Sequence, residues 1–407
     1  MGLKPGYKQT EVGVIPDDWE VKPLHALSDK IMVGIASAAT HAYRDRGIVM
    51  FRNQNIKPGC LDDSDILYLD EDYEVAFRNK RLKSGDLLTA RTGYPGTTSI
   101  VPAMYEGAQS FTTLITRPRR NLVDSTYLCC LINSQVGQTY FERNQIGGGQ
   151  KNVNAGSLKY LLVPLPPTKA EQEAIAEALS DADALIECLE KLIAKKRSLE
   201  QGAAQELLTG KNRLPGFNGC WGVKRFDEIV QPRKERIDPR RTGVHEFCIE
   251  LEHIEQGTGC LVGHTVTAEG SSLKSVFQED DVLFGKLRAY LRKYWLANRE
   301  GVCSTEIWVL VAKRSVLLPR FLFQLVKMDR FVEAASSAYG THMPRSDWNV
   351  VKNYELKLPP VEEQAAIAAI LSDTDAEISA LEAKLIKARQ LKQAMMQVLL
   401  TGKVRLV

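Results

Sequence analysis

The feature that most constrains this chain is a long segment written twice. Leu165 to Leu214 and Leu358 to Leu406 carry closely related text, and from Gln172 against Gln364 to Leu214 against Leu406 roughly 24 of 43 positions are identical without a gap. A chain of 407 residues built on such a repeat divides into two halves, each long enough to bury a core of its own. The blocks read as a globular part over residues 1–164, a helix over 165–214, a second globular part over 215–357 and a second helix over 358–407.

Each repeated segment carries helix punctuation. Pro166 and Pro167 exclude a helix upstream, Thr168 and Glu171 have the spacing of a capping box, and Gly210 suits the left-handed residue that ends a helix. The second copy has Pro359, Pro360 and Gly402, with Val361 at the cap position. Apolar residues recur at alternating steps of four and three through Leu179, Ala182, Ile186, Leu189 and Ile193. The same steps run through Leu371, Thr374, Ile378, Leu381 and Leu385, with Ala388, Met395 and Leu399 beyond. That spacing predicts a coiled-coil seam. Uninterrupted, Gln172 to Leu208 would extend about 55 Å at about 1.5 Å per residue. Alternatively, Ser180-Asp181 and Ser372-Asp373 could each cap a second helix, because Ser and Asp compete for backbone donors.

The globular parts alternate short β-like runs (Ile48 to Phe51, Ile66 to Leu69, Asp86 to Thr89) with turn signals at Pro58-Gly59 and Ser84-Gly85. Helical periodicity follows in Val123 to Phe141 and in Leu317 to Val332. Trp19 and Trp221 hold matching places and read as aromatic plugs that close each domain on its helix. Between Gly85 to Gly96 and Asp280 to Leu291 only about 2 of 12 positions match, Asp86 with Asp281 and Leu88 with Leu283. Helices that are kept while the globular parts drift apart point to one shared task and two separate ones.

Composition and missing motifs narrow the chemistry. Lys and Arg number 53 against 50 Asp and Glu, a net charge of +3 that permits nucleic-acid binding without implying it. The eight cysteines show neither C-x-x-C nor regular Cys/His spacing, which argues against zinc and disulfides, and Cys129-Cys130 reads as core. The N-terminal MGLKPGYKQTEVGVIP lacks an apolar signal region and no apolar run is long enough to span a bilayer, so a cytoplasmic location with no membrane contact is expected. No G-x-x-x-x-G-K-[ST] loop, no N-P-P-[FYW] or D-P-P-[FYW] site and no H-E-x-x-H occurs. The acids Glu250 and Glu252 read as solvated or structural.

Positive charge recurs at matched places. After the run ending at Thr89 come Arg91-Thr92-Gly93-Tyr94; the other half has Lys286-Leu287-Arg288-Ala289-Tyr290 with Arg292 and Lys293 behind. Basic and aromatic residues interleaved on a turn suit phosphate contact combined with base-edge or stacking contact, although an exposed basic loop is the plainer reading. The glycine-rich loop adds Gln150, Lys151 and Asn152, and its counterpart adds His342 and Arg345. Gln and Asn can bond adenine edges bidentately, as Arg can guanine.

Assembled, these features resemble the specificity subunit of type I restriction-modification enzymes. The resemblance is carried by VPLPPTKAEQEAIAEAL and LKLPPVEEQAAIAAIL at the helix starts, the LLTGK ends, GDLLTARTGYPG, and GGGQKNVN before the first helix, and it covers essentially the whole chain. It implies an α+β chain: two pseudo-repeated mixed α/β target recognition domains separated by two long helices paired as an antiparallel coiled coil. In that family each domain reads one half of a split site in double-stranded DNA. The helices act as spacer and as docking surface for two modification (methyltransferase) subunits, which restriction (endonuclease and translocase) subunits join. By the same resemblance the chain is non-catalytic and holds no cofactor or metal, with AdoMet, Mg and ATP on the partners. The DNA-contacting candidates are then Arg91, Thr92, Tyr94, Gln150, Lys151, Asn152, Lys286, Arg288, Tyr290, His342 and Arg345. The docking and spacer candidates are Gln172, Ile175, Leu179, Ile186 and Leu189, with Gln364, Ile367, Leu371, Ile378 and Leu381. The second half lacks the Arg-x-Gly-x-x-Gly turn and the triple glycine, so its contacts carry over less directly. The competing reading is a coiled-coil scaffold whose globular ends bind protein; a third is the recognition half of a single-chain restriction-methylation enzyme.

Overall fold

The computed structural model describes residues 5–37, 39–144, 152–267, 272–336 and 344–406. The chain forms two compact units, one comprising Met1–Glu190 with Lys384–Val407 and the other Lys191–Ala383. The boundary cuts through both long helices instead of separating helices from globular parts. Each unit therefore holds one globular part, the start of the helix that follows it and the end of the other helix.

Both long helices are unbroken, Lys169–Leu207 and Val361–Leu399, at 39 residues each, or about 58 Å at 1.5 Å per residue. Ser180-Asp181 and Ser372-Asp373 do not interrupt them. Leu179 and Leu371, just upstream, are locked into the globular cores, and Thr374 turns its hydroxyl back on the Ile370 carbonyl at 2.9 Å, satisfying itself within the helix. Gly210 (φ 69°) and Gly402 (φ 66°) take the left-handed conformation beyond each helix end. Thr168 Oγ1 accepts from the Glu171 amide at 3.2 Å, but only half of the capping box forms, because the Glu171 carboxylate turns away to Arg405.

The helices pair antiparallel. In the first unit Asp183 meets Lys392 at 2.5 Å and Glu190 meets Arg389 at 2.6 Å, one number falling as the other rises. In the second unit Lys196 meets Glu377 at 2.7 Å and Arg197 pairs with Glu382. Such partly exposed pairs contribute at most about 1 kcal/mol apiece and mainly set register. The seam itself buries Ile193, Ile378 and Ala388. Among the described residues no helix is long and apolar enough to cross a membrane.

The globular parts share one architecture. Each has a four-stranded antiparallel sheet, in the order Ser28–Val33, Leu114–Pro118, Leu87–Thr89, Thr98–Ile100 in the first unit and Val230–Pro232, Ile307–Ala312, Val282–Gly285, Tyr294–Leu296 in the second. A second sheet in each contains a parallel pair, Gln109–Ser110 on Ile48–Phe51 and Cys248–Ile249 on Gly301–Ser304. The matched aspartates brace the central strands. Asp86 accepts from the Lys83 amide and from Arg117 bidentately, while Asp281 accepts from the Gln278 amide and from Arg233 bidentately. Burial pushes the Asp281 carboxyl above its ordinary value, with the Gln278 amide and Arg233 working against it. The helical run expected over Val123 to Phe141 is two helices, Ser125–Asn133 and Gln135–Asn144, divided at Ser134, whose extended backbone ends the first and whose hydroxyl accepts from the Val136 amide. Cys129 is core as expected, while Cys130 is half-buried.

The Glu-Gln pair at each helix start explains why each unit takes in two helix ends. Gln172 Oε1 accepts from the Asp124 amide at 2.8 Å and its Nε2 donates to the Leu122 carbonyl at 3.3 Å. Gln364 Oε1 accepts from the Leu318 amide at 2.9 Å, and its Nε2 donates to the Val316 and Pro359 carbonyls at 2.8 and 2.9 Å. The adjacent acids reach the opposite helix end: Glu171 holds Arg405, and Glu363 holds Arg213 through two 2.7 Å bonds while accepting from Trp221 Nε1 at 3.1 Å. Each arginine lies over the expected aromatic plug, Arg405 at 6.0 Å from the Trp19 ring and Arg213 at 5.7 Å from Trp221. Ile175, Leu179, Leu399 and Leu400 complete the first core, and Leu208, Ile367 and Leu371 the second, each burial stabilising its unit by about 1.5–3 kcal/mol.

These contacts leave most of the docking and spacer candidates without free surface for docking. Gln172, Ile175, Leu179, Gln364, Ile367 and Leu371 are buried inside their own units, Ile378 is buried in the seam, and Ile186, Leu189 and Leu381 are half-buried along it. The seven buried side chains hold and space the chain, while the three half-buried ones keep part of their surface.

Candidate nucleic-acid interface

In each unit the central strand of the four-stranded sheet runs out into the basic turn, and the segment after the glycine-type loop folds back against it. In the first unit the Arg91 carbonyl accepts from the Val153 amide at 3.2 Å; in the second the Lys286 carbonyl accepts from the Ser346 amide at 2.8 Å. Arg91 and Lys286 are thus structural equivalents, as are Asn152 and Arg345, each one residue earlier. The helix that follows begins the same way on both sides, with Asn154 capping Ala155–Leu158 and Asp347 capping Trp348–Val351.

The first site is set by asparagines. Arg91 donates its amide to Asn53 Oδ1 at 2.7 Å and its Nε to Asn152 Oδ1 at 2.9 Å, which aims the guanidinium. Asn53 Nδ2 donates to Thr112 Oγ1 at 3.2 Å. Thr92 is half-buried beside Arg91, and Tyr94 projects with 85% of its surface exposed. The turn needs Gly96, at φ 95°, because a Cβ there would lie 2.3 Å from the Phe141 ring. Gln150 and Lys151 lie outside the described residues.

The second site replaces asparagines with backbone pairing and charge. The Lys286 amide donates to the Glu306 carbonyl at 3.0 Å, and the Arg288 amide to the Pro344 carbonyl at 2.9 Å. Arg345 forms an ion pair with Glu306 at 3.1 Å. Arg288 and Tyr290 are exposed and Lys286 is half-buried. His342 lies outside the described residues. The basic residues behind the turn serve the fold: Arg292 is taken by Asp329 and Lys293 donates to the Leu251 carbonyl at 2.6 Å. Arg288 and Arg292 sit at φ 53° and 51°, and Thr112 in the first site at 54°. Non-glycine residues held there cost about 1–3 kcal/mol each, strain that gathers at ligand-binding turns.

Asn53 and Glu306 were not among the sequence candidates. A signal for the first existed, because Asn55-Ile56 before Cys60-Leu61 and His253-Ile254 before Cys260-Leu261 mark the same loop. Asn55 Oδ1 accepts from the Arg52 amide at 2.8 Å, as His253 Nδ1 does from the Glu250 amide at 3.0 Å. Glu250 itself is neutralised by Lys274 at 2.7 Å, in keeping with its structural reading. Each site thus offers one guanidinium held by a neighbouring side chain, Arg91 by Asn152 and Arg345 by Glu306, on the same turn region as an exposed tyrosine, a combination that suits phosphates and base edges.

Comparison with known proteins identifies the family. A family model of the type I restriction modification DNA specificity domain matches residues 16–196 and 258–389. The type I restriction enzyme MjaVIII specificity subunit of Methanocaldococcus jannaschii is 23% identical over 74% of this chain and 75% of its own length. The EcoDI specificity subunit of Escherichia coli is 29% identical over 43% of this chain and 37% of its own. The crystal structure of the S subunit of a type I restriction-modification system from M. genitalium has the same fold, with a TM-score of 0.62 at 14% identity over 98% of both chains. The matched stretches cover most of the chain and fall in both halves of the repeat: the chain belongs to the type I restriction-modification DNA specificity domain family.

Proposed function

We propose that this chain is the non-catalytic DNA-recognition subunit of a type I restriction-modification complex, each globular unit reading one half of a bipartite duplex site through its basic turn. The observation that carries this reading is the same turn-and-return geometry built twice, with Arg91 and Lys286 in one backbone role, on units whose side chains otherwise differ. Two readers that must recognise different bases need one frame and two sets of contacts.

The helices dock two copies of a modification subunit, and restriction subunits join that core. Support comes from exposed positions kept identical in both copies with no folding role of the kind seen at Glu171 or Gln172: Lys195 and Lys387, Leu199 and Leu391, Gln201 and Gln393, Gln205 and Gln397. Leu199 and Leu391 are 59% and 58% exposed, and a leucine left in water twice at the same place suits a partner present twice. AdoMet, Mg and ATP belong to those partners.

The test is to recover DNA bound to the chain in host cells and sequence it. The expected fragments share one motif made of two short specific elements at a fixed spacing, and AdoMet titrated into the isolated chain gives no heat of binding. Fragments sharing no motif would favour the protein scaffold, and saturable AdoMet binding would place part of the catalytic apparatus on this chain.

A further inference from the structure

The junction between globular part and paired helices differs in charge between the two units, although the helices around it are repeats. In the second unit Lys327, the last residue of Pro319–Lys327, donates to Glu200 at 2.9 Å and to both oxygens of Asp375 at 2.7 and 2.9 Å. Gln324 Nε2 adds a bond to Asp375 at 3.1 Å, and the Lys327 ammonium lies 5.8 Å from the Phe323 ring. All three charged side chains are largely withdrawn from solvent, at 13% exposure for Lys327, 17% for Glu200 and 27% for Asp375. Burial works against the Lys327 ammonium, but Asp375 and Glu200 outweigh it and hold its pKa above the usual value.

In the repeat Asp375 corresponds to Asp183 and Glu200 to Lys392. The first unit therefore places a lysine of the helix itself on the aspartate, at 2.5 Å. The residue equivalent to Lys327 is Asn133, the last of Ser125–Asn133. It turns inward, accepting from the Thr98 amide at 3.0 Å and donating to the Thr98 and Cys129 carbonyls at 2.8 and 3.0 Å. One junction is neutral before the globular part arrives; the other is a pair of carboxylates that needs a cation from it.

We propose that this cluster is a seating key: the second junction accepts only a globular domain that brings a cation at the end of this helix, and the first only one that brings a neutral residue. Resting on the reading of the globular units as exchangeable DNA readers, the key decides which reader can occupy which place, and so which half of the site it reads. A domain of the first type at the second junction leaves Glu200 and Asp375 facing each other unneutralised. A domain of the second type at the first junction adds a second ammonium beside Lys392. A charge left buried without its partner is strongly destabilising, whereas a re-matched set is not.

The experiment transplants the first junction into the second in the full chain. Lys327→Asn and Glu200→Lys are made singly and together, with Lys327→Met as a neutral variant that keeps the stem on Phe323. Amide exchange is followed across residues 319–327. Each single change is expected to speed exchange on the order of a hundredfold, by the cost of an unpaired buried charge. The pairs Glu200→Lys/Lys327→Asn and Glu200→Lys/Lys327→Met are expected to return to within about tenfold of the native chain, the sign of direct coupling. Double variants that exchange as fast as the summed singles, or native exchange in Lys327→Met alone, would overturn the key. Restored exchange in a chain that no longer selects its DNA supports the key and counts against the reader assignment.

Discussion

Replacing Gln364 by leucine is expected to destabilise the second unit by about 3 kcal/mol, because buried polar groups left unsatisfied cost about 1–3 kcal/mol each. Gln364 is fully buried and serves one backbone amide and two carbonyls: those of Leu318, Val316 and Pro359. Leucine has the volume to fill the space and none of the polar atoms. The same change at Gln172 is expected to cost less, since that side chain makes two such bonds, one of them at 3.3 Å. Denaturant unfolding of the two variants measures the difference. No effect at either position would mean that the glutamines do not fasten the helix starts to the globular cores, and their appearance in both repeats would need another reason; equal losses would mean that the number of bonds does not set the cost.

Alanine at Arg91 or Lys286 is expected to weaken DNA binding in one of two distinguishable ways. Loss of a phosphate contact weakens binding to all sequences and lowers the salt slope by about 1, whereas loss of a base contact costs roughly 1–3 kcal/mol and relaxes one position. Asn53→Ala should produce a weaker form of the Arg91 defect at the same half-site, because Asn53 fixes the Arg91 backbone without sharing its charge. Arg288→Ala belongs to the Lys286 half-site, whereas Lys293→Ala should affect folding, since its ammonium is engaged with the Leu251 carbonyl. Binding titrations across salt, on duplexes altered in one half at a time, separate these outcomes. Wild-type behaviour of both Arg91→Ala and Lys286→Ala would remove the turns from the interface.

Much of this arrangement is readable in the residues, and the unreadable part has a definite cause. The repeat, the four-and-three seam and the glycine ends lead directly to two long paired helices, because each rests on local spacing. The matched turns also emerge, since Asp86 and Asp281 anchor the alignment that sets Arg91 against Lys286. The crossed ownership of the helices does not. Glu171 and Glu363 are equivalents in the alignment, as are Arg213 and Arg405, and nothing local says that Glu363 holds Arg213 while Glu171 holds Arg405. For the same reason Gln172 and Gln364 read as docking and spacer residues from the sequence, when they are internal fasteners. Lys327 is invisible too, because its meaning depends on Glu200 and Asp375, each supplied by a different helix.

The central claim is that two independent readers share one frame, and exchanging Pro16 to Val163 for the matching region of a relative tests it most directly. Mapping methylated sites in cells carrying the exchanged chain should show one half of the bipartite site replaced by the relative's, with the other half unchanged. Alteration of both halves, or of neither in an active complex, would contradict the account and point to a single composite reader or to a recognition surface elsewhere.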